Sequence, residues 1–373
     1  MADTWKLFKL ERLNDPNLIS FYSQFLDYAL SASSTFRNEN SPTATTVAAF
    51  YCVERTFNAR ASSSAGNCLV LLNVAVPCLT HFCFNNLLRL SFVLPWVGNA
   101  SHEKQYAVFR KGIPVALEVN ATLDEALKIL PSVSRPRDDA RALAASALTE
   151  IACVFCVFHE IAHLAGGHAA YASAHFAGQA VSEFYGWFQT RHAKERVLRR
   201  VWEFEADKLA TVMLMNYLLR GAPTQQHYRE CFELSSEGTT FIKELLALAL
   251  LAVALLFRYL GQPLRRMNKQ SFHPHPLVRD VCVHGTMRIV ASHQFKVDIS
   301  DLDIDLDNVV DQVERAFADW KTPQHASKYD ESRLWEAVQE EILELENDHQ
   351  RLQPTYQSGA WIPSTYWRPL ALG

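Results

Sequence analysis

The chain has 373 residues, with 36 Lys and Arg against 40 Asp and Glu, a formal net charge of -4. Hydrophobic residues make up 49% and charged residues 20%, which excludes a disordered chain and lets a core form without disulfide or metal staples. There is no basic excess, so nucleic acid is not expected as a partner. The length fits one large domain or two modest ones. Cys52, Cys68, Cys78, Cys83, Cys153, Cys156, Cys231 and Cys282 are scattered, mostly among apolar neighbours. They read as reduced core residues in a cytoplasmic-type compartment, and Cys153-Val-Phe-Cys156 as packing rather than redox chemistry. The N-terminal Met-Ala-Asp-Thr-Trp-Lys lacks a basic stretch followed by an apolar one, so no signal peptide is expected.

In chain order, Phe8 to Leu13 and Phe21 to Leu30 suit short helices, and Ser31 to Thr46 suits a polar loop. Ala48 to Phe57 is a further short element, and residues 61–67 read as a small-residue turn. The apolar block Cys68 to Val97 carries Asn73, His81, Asn85, Asn86 and Arg89, and fits core strands or short helices better than a lipid-facing helix. Residues 104–120 suggest two strands about the turn at Lys111-Gly112. Thr122 to Leu130 suits a short helix capped by Thr122 and Glu125.

Ala142 to Ala165 predicts one long helix, nearly apolar all round and therefore central, with Asp138 or Asp139 as its cap. Gly166-Gly167 is the natural place for it to end or bend. Ser182 to Leu219 predicts a second long helical region. Residues 239–260 predict a third, whose thirteen apolar residues Leu245 to Phe257 are short of the roughly 20 that a membrane span needs. A buried helix is therefore favoured, with membrane association as the alternative. Residues 277–290 suit another helix. The acid-aliphatic alternation of Asp298 to Asp307 suits a half-exposed strand, and Leu306 to Phe317 and Glu331 to Leu345 suit acidic amphipathic helices. From Arg351 the tail reads as an irregular strap.

One constellation carries chemistry. His159-Glu160-Ile161-Ala162-His163 lies in the central helix. Four residues advance a helix by about one turn, so both imidazoles share a face and can reach one zinc ion. Glu160, one position on, is placed to hold a water as general base rather than the metal. Two histidines and a glutamate in so apolar a helix are costly unless something satisfies them, and a metal does. A third ligand is needed, and Trp202-Glu203-Phe204-Glu205-Ala206-Asp207 can supply it. Glu203 and Asp207 share a face, so one can bind metal while the other orients a ligating histidine; Glu205 is the reserve ligand. In Ser271-Phe272-His273-Pro274-His275-Pro276-Leu277-Val278-Arg279, a histidine or the arginine can face the cleft and stabilise negative charge on an attacked carbonyl oxygen.

These three blocks, in this order, resemble the gluzincin metallopeptidases of the HtpX and CAAX-prenyl-protease type, whose pattern is HExxH, then ExxAD on a later helix, then a His-Pro segment followed by Arg. His163-Leu-Ala-Gly-Gly-His168 also looks like the phage-exclusion peptidases related to Lit. The resemblance covers roughly residues 140–285. It puts Glu203 beside His159 and His163 as ligands of one zinc ion per chain. It makes Asp207 a residue that orients a ligand, and favours His273 over His275 as the cleft residue, with Arg279 at the family spacing. His168 and His275 are left behind the ligands. The implied fold is α+β, mainly α: a zincin-like domain with a small upstream sheet. Its catalytic part would span 101–290, between an N-terminal region 1–100 packed on the core and an acidic helical C-terminal region 291–373. The implied activity is zinc-dependent endopeptidase action on a protein or peptide substrate, which would lie along an edge strand for which 104–120 is the candidate. The membrane members of that family carry clear spans and this chain at most one marginal stretch, which favours a soluble, cytoplasmic relative. A different zinc amide hydrolase, a membrane-associated protease and a non-catalytic zinc scaffold are the alternatives.

Overall fold

The computed structural model describes residues 7–36, 46–53, 59–64, 67–103, 135–176, 181–182, 193–234, 238–260, 271–298, most of 308–316, and 331–362. In chain order the elements are β1 (Leu7–Phe8), α1 (Pro16–Phe36), β2 (Thr46–Cys52), β3 (Ala59–Ser64), β4 (Asn67–Asn73), α2 (Ala75–Leu87), α3 (Asp139–Ala165), α4 (His168–His175) and β5 (Val181–Ser182), then α5 (Ala193–Arg220), α6 (Ala222–Phe232), α7 (Gly238–Leu260), α8 (Pro276–Phe295) and α9 (Glu331–Tyr356). The architecture is mainly helical α+β with one small mixed sheet in the order β1-β2-β4-β3-β5. β2 and β4 run parallel, Thr46 opposite Asn67 through Cys52 opposite Asn73, and the other pairs are antiparallel.

α3 is the centre. Asp138 caps it by accepting from the Arg141 amide at 3.1 Å. It packs against α1, α2, α5, α6, α7 and β3, so from Ala144 onward nearly every side chain is buried. Arg141, in its first turn, is fully buried and donates five hydrogen bonds, to the carbonyls of Leu88, Leu90, Val93, Leu94 and Val97. These bind an irregular segment in which the carbonyls of Leu90 and Leu94 also accept backbone bonds, from Val93 N and Val97 N. At its far end the helix closes through Gly166 N to Ala162 O at 2.8 Å. Gly167 then adopts φ +83°, a conformation open to glycine, which lets α4 start at once with His168.

The sheet lies upstream of the central helix but differs from expectation in its parts. Of residues 61–67, expected as a turn, 61–64 belong to β3 and Asn67 opens β4, while 65–66 lie outside the described residues. Ala59 and Ala61 face inward, and β3 is paired on both sides, so backbone hydrogen bonds carry a strand whose small polar side chains do not mark it. Ser182, expected to open the second long helical region, belongs to β5; residues 183–192 lie outside the described residues, and the helix is described over Ala193–Arg220. Leu10–Leu13 is a short 3-10 turn after β1, and α1 runs to Phe36 into the expected loop. The C-terminal segment is not an irregular strap from Arg351: α9 continues to Tyr356, whose buried side chain pins the last turn, and Trp361 N then bonds Ala165 O at 2.8 Å. Residues 104–120, 122–130 and 299–307 lie outside the described residues.

Among the described residues, two helices, Asp139–Ala165 and Gly238–Arg258, are long and apolar enough to cross a membrane. Their most apolar windows are 78% and 72% buried inside the protein. α9 lies along α5 and α8, with Arg200 paired to Glu341 and Lys208 Nζ 3.2 Å from Glu346. One hydrophobic cluster runs from Phe8 to Ile362.

Candidate metal centre

α3 presents His159 and His163 one turn apart toward α5, which presents Glu203. One ligand atom from each of the three lies within 4.8 Å of the other two. The two Nε2 atoms are 3.0 Å apart, and the Glu203 carboxylate is 3.2 Å from His159 Nε2 and 3.4 Å from His163 Nε2. Both imidazoles are fully buried, and Glu203 is 3% exposed. Burial holds the His163 imidazole down to about 3, against the pull of Glu203, so its nitrogen lone pair is available. Burial raises the Glu203 carboxyl, but His273 and His163 outweigh it and keep Glu203 well below the usual carboxylate range. Two imidazoles and a carboxylate converging in a buried place are a zinc donor set.

The outward-facing nitrogens fit the same reading. His159 Nδ1 lies 3.0 Å from Asp207 Oδ1, four residues beyond Glu203 on the same helix face. Asp207 in turn accepts from Arg279 Nε at 2.7 Å and Nη2 at 2.8 Å. Burial raises the Asp207 carboxyl, and Arg279 more than reverses it, so the group is lowered and stays an acceptor. With Nδ1 of His159 donating to Asp207, its Nε2 is left to bind metal. His163 Nδ1 lies 3.0 Å from His168 Nδ1.

The structure therefore brings His159, His163, Glu203, Asp207, His168 and His273 together. His273 Nδ1 is 3.1 Å from Glu203 Oε2, and its side chain is 24% exposed, so solvent reaches it. Glu160 is fully buried beside His159 on α3. Two residues stand elsewhere than the chemistry suggested. Arg279 is turned to Asp207 with its guanidinium 4.0 Å from the Phe257 ring centroid, a place for holding Asp207 rather than a reacting oxygen. His275 caps α8, its Nδ1 accepting from the Leu277 amide at 3.3 Å.

Glu205, the reserve ligand, is engaged on the other side of α5. It faces His168 Nε2 at 3.4 Å, His349 Nε2 at 3.0 Å and the Tyr356 hydroxyl at 2.5 Å. Burial raises its carboxyl too, but His168 and His349 bring it to about 2. His349 and Tyr356 were missed in the sequence. They sit in an acidic helix that carries no motif, and no spacing rule connects them to residues some 150 positions earlier.

Comparison of the chain with known protein families, curated proteins and solved structures finds no match. The site thus stands on its own geometry. A buried His-Glu-x-x-His pair completed by a later glutamate is the set typical of a zinc-protease centre, and it supports a metal-dependent activity.

Proposed function

We propose that the chain is a zinc-dependent hydrolase of amide bonds, with peptides as its substrate class. The observation that carries this is the convergence of His159, His163 and Glu203 in a buried setting with Glu160 next to the first ligand. Zinc held there would supply Lewis acidity and lower the pKa of a water. Glu160 takes the proton from the attacking water and returns it to the leaving nitrogen. Asp207, held by Arg279, keeps His159 in the tautomer that presents Nε2. His273, the imidazole that solvent reaches, stabilises the negative charge on the attacked carbonyl oxygen. The direct test is Glu160→Gln: zinc content stays near one per chain while hydrolysis of a peptide library falls by at least about 100-fold. Undiminished hydrolysis in that variant rules the mechanism out.

The geometry backs a metal centre more directly than it backs peptide hydrolysis. A second reading is a non-catalytic zinc scaffold: the ligands are at most 3% exposed, although three protein ligands rather than four is the number found in catalytic zinc sites. Under that reading no peptide or amide is cleaved, and zinc removal lowers stability alone. We also propose that the chain works as a soluble, cytoplasmic protein, since both long apolar helices are mostly covered by other parts of the fold.

A further inference from the structure

Behind His163 lies a polar set that the proposed chemistry does not use. His163 Nδ1 is 3.0 Å from His168 Nδ1; His168 Nε2 is 3.4 Å from Glu205 Oε2. The same oxygen takes His349 Nε2 at 3.0 Å and the Tyr356 hydroxyl at 2.5 Å. His168, Glu205 and Tyr356 are each at most 1% exposed. We infer that His168 and Glu205 form a positioning relay for the ligand His163, clamped from the C-terminal helix by His349 and Tyr356, so that the metal centre extends to residues 349–356. This rests on the metal centre proposed above.

The hydrogens have one consistent arrangement. If His163 presents Nε2 to a metal, its proton is on Nδ1 and points at His168 Nδ1. That atom must then be the acceptor, which puts the His168 proton on Nε2, facing Glu205. Glu205 as a carboxylate accepts from His168, His349 and Tyr356. Each of these protons then faces an acceptor atom within 3.4 Å. The other histidine ligand, His159, is held directly by a carboxylate; His163 is held by a carboxylate acting through an imidazole.

Local structure is shaped to seat His168. The ring stacks on Trp202, centroids 5.4 Å apart and 15° between planes, and meets Tyr356 edge-on at 5.1 Å. A β-carbon on Gly166 would come within 2.9 Å of His168 Nε2, so glycine leaves the space the imidazole fills. One on Gly167 would meet Tyr356 O at 2.6 Å and Ala360 N at 2.7 Å, so the same turn also receives the C-terminal segment. The pairs Arg200–Glu341 and Lys208–Glu346 fix the register of α9 on α5 that brings His349 to Glu205.

The experiment is zinc affinity, by competition with a chromogenic chelator, on the full chain and four variants, with unfolding of each metal-free form followed by circular dichroism. His168→Phe keeps a ring on Trp202 but neither accepts nor donates. His168→Gln can accept with its oxygen and donate with its nitrogen. The expected result is a loss of roughly 10–100-fold in affinity for His168→Phe, most of it recovered in His168→Gln. Tyr356→Phe, which removes one hydroxyl from the far end, gives a smaller loss. Wild-type affinity in a folded His168→Phe overturns the relay, as does a folded His168→Gln no better than His168→Phe. If His168→Phe does not fold, Tyr356→Phe decides, and unchanged affinity there overturns the extension to the C-terminal helix. A wild-type chain that takes no zinc, or a Glu203→Ala variant that binds it as tightly, brings down the metal centre itself rather than the relay.

Discussion

Replacing Asp207 by Asn separates an orienting role from a merely structural one. Asp207 is fully buried and holds His159 Nδ1 at 3.0 Å and two nitrogens of Arg279 at 2.7 and 2.8 Å. Asn keeps the size and one carbonyl oxygen, but its amide nitrogen cannot accept, and the negative charge is gone. Two costs follow. Removing the orienting partner of a ligating histidine lowers metal affinity by roughly 10–100-fold, about 1.4 to 2.7 kcal/mol. Leaving Arg279, 5% exposed, without its counter-charge costs about 3–5 kcal/mol of stability. The first is read by chelator competition for zinc, the second by urea unfolding of the metal-free protein. Arg279→Met completes the set. Because Arg279 reaches His159 through Asp207, the affinity losses of the two variants should not add in the double variant. Zinc affinity within twofold of wild type in a folded Asp207→Asn would refute the orienting role, whatever happens to stability.

Other consequences are open to simpler measurements. Arg141→Met removes donors from the five carbonyls of Leu88, Leu90, Val93, Leu94 and Val97. At about 1 kcal/mol each the loss is about 5 kcal/mol, comparable to a whole domain's margin. A urea midpoint that scarcely moves would show that water replaces the guanidinium without cost. Gly167→Ala forces a β-carbon onto Tyr356 O and Ala360 N at φ +83°, and should cost about 1–3 kcal/mol by thermal unfolding; an unchanged Tm contradicts the close approach. Finally, the chain should be recovered without detergent. Retention in the membrane fraction would mean that α3 or α7 meets lipid.

What the sequence made legible follows from local rules. His159 and His163 share a face because a helix repeats every 3.6 residues, and Glu203 and Asp207 share one for the same reason. The long central helix is legible because it is apolar all round and bounded by Asp138 and Gly166-Gly167. β3 is not legible, because Ala-Arg-Ala-Ser-Ser-Ser has the composition of a turn and becomes a strand through pairing with β4 and β5. The end of α9 is hidden by Pro354, which reads as a helix stop but lies inside the helix, where Tyr356 is buried against Glu205. Arg279 stands out by its spacing from His273-Pro274, yet its partner Asp207 emerges from the packing of α5 against α8. His349 needs the register of two helices far apart in the chain.

The three carboxylates of α5 show why such distant parts belong to one centre. Glu203, Glu205 and Asp207 are spaced by two residues, so successive members fall on opposite sides of the helix and the first and third on the same side. Glu203 and Asp207 face α3 and take its His159 and His163. Glu205 faces away and takes His168, which the Gly166-Gly167 turn swings behind His163, and α9 closes over it with His349 and Tyr356. All three carboxylates are at most 3% exposed, and burying each would be costly without partners. Asp207 has Arg279 for a counter-charge, and Glu205 has three donors. Glu203 faces nitrogens of His159 and His163, with His273 adding a further imidazole at 3.1 Å. Of the three, Glu203 is the one that meets both Nε2 atoms at once, which makes it the carboxylate placed to share a divalent cation with them.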